Sequence, residues 1–127
     1  DFAAGDVMAQ QMRNFAYLIG DRETGDTVVV DPAYAAGDLV DALEADGMHL
    51  SGVLVTHHHP DHVGGSMMGF ELKGLAELLE RTSVPVHVNS LEADWVSKVT
   101  SAKHLPVWRD MISFPLLVTL FRRGVRP

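Results

Sequence analysis

Cysteine is absent from this chain of 127 residues. Its absence excludes disulfide bonds and thiolate metal ligands, so any metal site must use nitrogen and oxygen donors. A chain without disulfides is also compatible with a reducing compartment. We therefore expect a cytoplasmic location.

Positive charge is scarce as well: 10 Lys and Arg stand against 17 Asp and Glu, for a net charge of −7. Proteins that bind nucleic acids present clustered Lys and Arg to the phosphates. The charge balance therefore argues against a nucleic-acid partner. A small anionic substrate needs only a local positive site or a metal, so the balance does not exclude one.

Long apolar runs are also lacking. The longest run, residues 111–121, is too short to span a bilayer and contains Pro115. No basic and then apolar leader follows Asp1, so no signal peptide is visible. With 46% hydrophobic and 21% charged residues, the composition is that of an ordinary globular protein. We expect one domain over residues 1–127 and no membrane partner.

A dense group of histidines follows a short apolar run in the middle of the chain. Residues 53–56 are apolar or β-branched and predict a short, buried strand. Four histidines and an aspartate follow within six positions: His57, His58, His59, Asp61 and His62. Imidazole nitrogen and carboxylate oxygen are the usual ligands of zinc and other borderline divalent metals.

The spacing within this group predicts two neighbouring clusters of donors. In an extended chain His57 and His59 share one face, and His58 points the other way. Pro60 favours extended backbone at the residue before it, and Asp61 stands where a helix could begin. One loop can therefore offer two imidazoles to one point, and a carboxylate with an imidazole to the next.

The His-x-His-x-Asp-His run, set after a hydrophobic strand and before Val63-Gly64-Gly65, resembles the metal-binding signature of the metallo-β-lactamase-fold hydrolases. It is nearest to the glyoxalase II-like thioesterases and lactonases. The alternative is a histidine-rich surface loop that binds metal adventitiously. The resemblance implies an α/β fold, the four-layer αββα sandwich, of which only the N-terminal half is present. It covers residues 14–100, and residues 101–127 form a divergent basic and apolar tail.

The resemblance also implies roles for individual residues. His57 and His59 would hold a first ion, and Asp61 and His62 a second, with Asp61 also orienting the attacking hydroxide as a catalytic residue. The ion would be Zn²⁺, one or two per chain, with Fe or Mn as further options. Asp31, in a Val-Asp-Pro at the end of an early strand, would support the loop without binding metal. Alternatively, Asp31 only starts a turn or caps the next helix.

The activity that the resemblance implies is hydrolysis of a small ester, lactone or thioester by metal-activated hydroxide. Two alternatives stay open. The family's later Gly-His-Thr, bridging aspartate and last histidine do not appear in this sequence, which favours a catalytically incomplete fragment with a weak metal site. The same loop pattern also occurs in mononuclear iron dioxygenases that act on persulfides.

Half of a sandwich would leave one sheet face uncovered. Such a face favours a homo-oligomer, although residues 111–121 could cover part of it. Hydrophobic periodicity predicts the elements around the loop. They are strands over residues 14–20, 27–30 and 84–89, and helices over residues 37–47, 71–81 and 90–99, the last with Ser90 as its N-cap.

Overall fold

The computed structural model describes residues 3–100 and the backbone of residues 107–108. His104 and the apolar run 111–121 lie outside the described residues. The prediction that residues 111–121 cover part of the sheet therefore also lies outside them. The elements, in chain order, are α1 (Val7–Met12), β1 (Tyr17–Gly20), β2 (Asp26–Val30), α2 (Ala36–Ala45), β3 (His49–Val55), α3 (Pro60–Val63), β4 (Gly65–Met67), β5 (Phe70–Leu72), α4 (Leu75–Arg81), β6 (Val86–Val88), α5 (Ala93–Thr100) and β7 (Val107–Trp108).

Among the described residues, five strands form the main sheet in the order β1-β2-β3-β6-β7. β1 and β2, which match the strands predicted over residues 14–20 and 27–30, form an antiparallel hairpin, whereas β2, β3, β6 and β7 run parallel. β4 and β5 pair separately as a small antiparallel ribbon. Because β2, β3 and β6 are parallel, their carboxyl ends lie at one edge of the sheet, where open α/β sheets usually bind ligands.

The core lies between one face of the main sheet and the helices. Val29, Val53 and Val86 are neighbours on adjacent strands, point to this face and are fully buried. They pack with Leu75 and Leu78 of α4 in the hydrophobic core. Residues of α2 and α5 belong to the same core. The predicted α/β fold class is therefore confirmed, and in residues 3–100 the helices α2, α4 and α5 share one core with the main sheet.

The opposite face of the sheet is less buried among the described residues. Val28, Val30 and Leu54 are only half-buried there. On the edge strand β1, Tyr17 is 56% exposed and Ile19 is 39% exposed. This is the face that the half-sandwich prediction left uncovered.

Two predicted helices begin later than expected. The helix predicted over residues 71–81 begins at Leu75, because Phe70–Leu72 form β5. The helix predicted from Ser90 begins at Ala93. Ser90 is therefore not its N-cap; residues 90–92 form a turn in which the Asn89 carbonyl accepts the Glu92 N–H at 2.9 Å.

The short α1 was not predicted at all. Its N-terminal signal is Asp6, whose Oδ1 accepts the backbone N–H groups of Met8 and Ala9 at 2.9 and 3.1 Å. His49 is the first residue of β3, and its Nε2 lies 2.7 Å from Oδ1 of Asp26. Within the part of the chain described here, every helix is too short or too polar to cross a membrane.

Candidate metal centre

The histidine loop, defined as residues 56–62, lies at the carboxyl edge of the parallel strands. It follows β3 directly, while Asp31 follows β2 and residues 89–92 follow β6. Because β2 and β6 flank β3 in the sheet, these stretches lie side by side although they are far apart in sequence. The sheet thus brings side chains from three connections to the loop.

Asp31 holds the beginning of the histidine loop and one of its rings. It is 7% exposed. Its Oδ1 accepts the Thr56 backbone N–H at 2.9 Å, and its Oδ2 accepts the Thr56 hydroxyl at 2.6 Å. The same Oδ2 lies 3.0 Å from Nδ1 of His62. Asp31 adopts φ +50°, a left-handed conformation that Asp tolerates better than most residues.

These contacts assign the tautomers of two histidines. A carboxylate only accepts hydrogen bonds, so Nδ1 of His62 carries the proton that it shares with Asp31. The single Thr56 hydroxyl proton goes to Asp31, so that hydroxyl accepts from Nδ1 of His57 at 3.0 Å. In the neutral form of either ring, Nε2 then carries the lone pair.

The rings of three loop histidines pack together. The centroid of His57 lies 4.6 Å from that of His59 and 4.2 Å from that of His62. Burial, followed by the neighbouring His62 and His59, lowers the pKa of His57 below its usual value. The neutral ring favoured in this way is the form that binds metals.

Asp61 lies beside this ring cluster and is 8% exposed. Its Oδ2 is 3.6 Å from Nε2 of His62. The same Oδ2 accepts the side-chain amide of Asn14 at 2.6 Å, and that amide also donates to the Asp61 carbonyl at 3.0 Å. Burial, then the Asp61 and Asp6 carboxylates, raises the pKa of Tyr34 to about 12.

His58 contacts α5 and the turn before it. Its Nδ1 lies 2.5 Å from Oε2 of Glu92, and its backbone N–H donates to the same oxygen at 2.9 Å. Its ring stacks on Trp95 with the centroids 5.5 Å apart. The hydrogen bond from the His58 side chain lowers the pKa of Glu92.

The donor atoms of the loop, imidazole nitrogens and a carboxylate, are of the type that borderline divalent ions bind. Imidazole nitrogens with free Nε2 lone pairs, each fixed at Nδ1 by a hydrogen bond, are the usual form of metal-binding histidine. In the positions described for residues 3–100 and 107–108, however, no three His, Asp or Glu side chains could share one ion. A complete ligand set would require a side chain to turn or a further donor to be added.

Comparison with models of known protein families identifies the superfamily of this chain. A model of the metallo-β-lactamase superfamily matches residues 11–118. The chain belongs to this superfamily. The family recognised from the histidine loop is thereby confirmed, and the match continues past residue 100 into the predicted tail.

Relatives within the metallo-β-lactamase superfamily are longer than this chain. Over 52 residues it is 54% identical to the hydroxyacylglutathione hydrolase of Cereibacter sphaeroides, which covers 41% of this chain and 20% of that protein. Over 74 residues it is 43% identical to the hydroxyacylglutathione hydrolase of Rhodopseudomonas palustris. That match covers 58% of this chain and 25% of that protein. The chain thus spans about a fifth to a quarter of the length of these relatives.

The fold agrees with that of a solved metallo-β-lactamase. The B3 metallo-β-lactamase BLEG-1 matches with a TM-score of 0.52 at 24% identity, over 71% of this chain and 46% of that one. At this level of identity the likeness shows the fold alone. The chain covers part of that fold.

Two residues that contact the histidine loop, Asn14 and Glu92, were not predicted from the sequence. Asn14 binds Asp61 across 47 positions of chain, and Glu92 binds His58 across 34. No spacing rule connects residues so far apart. For Glu92 a local signal existed, since it stands in a turn after β6, next to the strand that the loop follows.

Proposed function

We propose that this superfamily member is a metal-dependent hydrolase acting on a small ester, lactone or thioester. In this proposal His57 and His59 hold a first divalent ion, and Asp61 and His62 hold a second. Zn²⁺ is the expected ion, with Fe or Mn as further options. The observation that carries the proposal is the cluster of three imidazole rings, two of which, those of His57 and His62, form a hydrogen bond through Nδ1.

The names of the relatives support the class of substrate. The two hydroxyacylglutathione hydrolases are named for cleaving an acyl-glutathione thioester. We extend this to the present chain as a small thioester or ester substrate, with no nucleic-acid partner because the chain carries a net charge of −7. A cytoplasmic location remains our expectation.

The chain's own residues would prepare the site for this chemistry. Asp31 orients His62 directly and His57 through the Thr56 hydroxyl. In this proposal Asp61 orients a water molecule or accepts its proton. A bound divalent ion would lower the pKa of such a water from about 15.7 toward about 7.

A second candidate is a weak metal site without turnover. It is favoured by the donor placement, because no three His, Asp or Glu side chains within the described residues could share one ion as they stand. A catalytic zinc normally has three protein ligands. Fewer ligands mean weaker binding and poorer control of the bound water.

The first experiment measures bound metal by elemental analysis of the purified chain. We compare the wild type with His59→Ala and with His49→Ala, a matched control at an exposed histidine of β3. Zinc that is bound by the wild type and the control and lost in His59→Ala supports the proposal. Zinc retained by His59→Ala would refute the ligand role of His59.

The second experiment separates the candidate activities. Thioester and lactone hydrolysis is measured before chelation, after chelation and after zinc is restored. Turnover that follows the metal supports the hydrolase, whereas bound zinc without turnover supports the second candidate. One iron per chain with oxygen uptake on a persulfide would assign the dioxygenase alternative instead.

A further inference from the structure

His58 stands between two candidate metal ligands, yet its own contacts lie toward α5. Its side chain is 30% exposed and that of Glu92 is 28% exposed. A single oxygen of Glu92, Oε2, receives both the backbone N–H and the ring Nδ1 of His58. Backbone and side chain of one loop residue are thus held at the same point.

Trp95 strengthens this attachment. Its ring lies nearly parallel to that of His58, at an interplanar angle of 28°. On the same indole, the Lys98 ammonium lies 4.9 Å from the ring centroid, within the range of a cation–π interaction. The His58 ring is therefore fixed by a hydrogen bond along its edge and a stacked ring against its face.

Glu92 is itself well anchored. Its backbone N–H donates to the Asn89 carbonyl at 2.9 Å, and its carbonyl accepts the N–H of Val96 at 2.9 Å. Val96 is fully buried in the core. The carboxylate that holds His58 therefore projects from the turn directly before α5, and α5 packs in the hydrophobic core.

We propose that Glu92 is a positioning residue that tethers the histidine loop to α5 through His58 and thereby directs His57 and His59. Fixing the backbone at residue 58 restricts the directions of the side chains on either side of it, because these alternate along an extended chain. The inference rests on the proposed metal site for its functional part, but the tether exists without metal.

The test uses two measurements on the full chain. Amide hydrogen exchange at His58 is followed without metal, and zinc affinity is measured by competition with a chromophoric chelator. The variants are Glu92→Ala, which removes the acceptor, and Glu92→Gln, which keeps one oxygen. Glu80→Ala, at an exposed glutamate of α4, is the matched control.

We expect Glu92→Ala to speed exchange at His58 about tenfold or more, since a hydrogen bond to a charged group is lost. Zinc affinity should fall by about 10-fold, the lower end of the effect of residues that orient metal ligands. Glu92→Gln should lie between Glu92→Ala and the wild type, and Glu80→Ala should match the wild type. Recovery in Glu92→Gln distinguishes the tether from a general loss of stability.

Exchange at His58 that is unchanged in Glu92→Ala would overturn the tether. Faster exchange with wild-type zinc affinity would overturn its effect on the ligands. A wild-type chain that binds no zinc would instead refute the proposed function and, with it, the directing role. The exchange measurement would still decide whether the tether exists.

Discussion

Oδ2 of Asp31 lies 3.0 Å from Nδ1 of His62, across 31 positions of chain. The contact joins the end of β2 to the far end of the histidine loop. Through Thr56 the same carboxylate also holds the beginning of the loop. One buried side chain thus spans the stretch that carries the candidate ligands.

Replacing Asp31 by Asn should weaken both the fold and the metal site. An amide oxygen can still accept the Thr56 N–H, but the amide NH₂ cannot accept from the Thr56 hydroxyl or from His62. We expect the free energy of unfolding to fall by about 1–3 kcal/mol and zinc affinity to fall by about 10- to 100-fold. Urea unfolding and chelator competition measure the two quantities.

The matched control for Asp31→Asn is Asp41→Asn, which removes a surface ion pair with Arg81. Surface pairs contribute about 0–1 kcal/mol, and this one joins α2 to α4, neither of which contains a residue of the histidine loop. The control should therefore bind zinc like the wild type. If Asp31→Asn also does so, Asp31 does not support the candidate ligands.

Gly64 should be far less tolerant of alanine than Gly69, although their φ angles are +82° and +83°. A Cβ at Gly64 would lie 2.8 Å from backbone atoms of Gly74, whereas a Cβ at Gly69 meets nothing within 4 Å. With ψ at 175°, Gly64 lies in a positive-φ region that is almost confined to glycine and that costs another residue about 1–3 kcal/mol. The clash adds about 1–3 kcal/mol. Urea unfolding of Gly64→Ala and Gly69→Ala tests this; equal losses would contradict the close approach.

Tyr34→Phe should leave the stability unchanged or raise it near neutral pH. The Tyr34 hydroxyl is buried and has no hydrogen-bond partner among the described residues, so removing it relieves a desolvation cost. The pKa of Tyr34 is raised to about 12 from 10.0, so the folded state holds the proton more tightly than the unfolded state. This tighter proton binding stabilises the folded state at pH values below 10, and the stabilisation is lost as the pH rises toward 12.

Urea unfolding of the wild type and Tyr34→Phe at pH 8 and pH 11 checks that sign. The wild type should lose stability relative to the variant at the higher pH. A difference between the two proteins that does not change with pH would contradict the raised pKa.

Ile19→Lys should reduce self-association if the half-buried sheet face is an interface between copies of the chain. Ile19 lies on the edge strand β1 and is 39% exposed, and the same face carries the half-buried Val28, Val30 and Leu54. Light scattering should give oligomers for the wild type and smaller particles for Ile19→Lys. Val7→Lys, on α1, is the control and should resemble the wild type; a monomeric wild type would contradict the prediction.

The sequence was informative where the signal was local. The apolar run before the histidines gives β3, and the order of ligand-type residues gives the family. The spacing of the leucines gave a wrong boundary where a strand and the following helix together fit the pattern of one helix. Leu72, Leu75 and Leu78 fit one helical face, but Leu72 ends β5, and Gly74 separates it from α4. A Cβ at Gly74 would collide with the backbone at Val63 and Gly64, so this glycine marks a close approach between segments.

The parts of the site that could not be predicted depend on tertiary contacts. Asn14 reaches Asp61 and Glu92 reaches His58 only because the sheet brings their connections together. Asp31 was anticipated from the family resemblance, not from any pattern in the residues themselves. Its role as a support for metal ligands remains a prediction.

Imidazole ¹⁵N NMR during a zinc titration tests the central claim most directly. It reports which ring nitrogen of each histidine is protonated and which binds metal. We predict that Nδ1 of His57 and of His62 stays protonated throughout, and that zinc shifts the Nε2 signals of His57 and His59 together. Rings that do not respond to zinc, or that bind it through Nδ1 of His57, would contradict the proposed metal site.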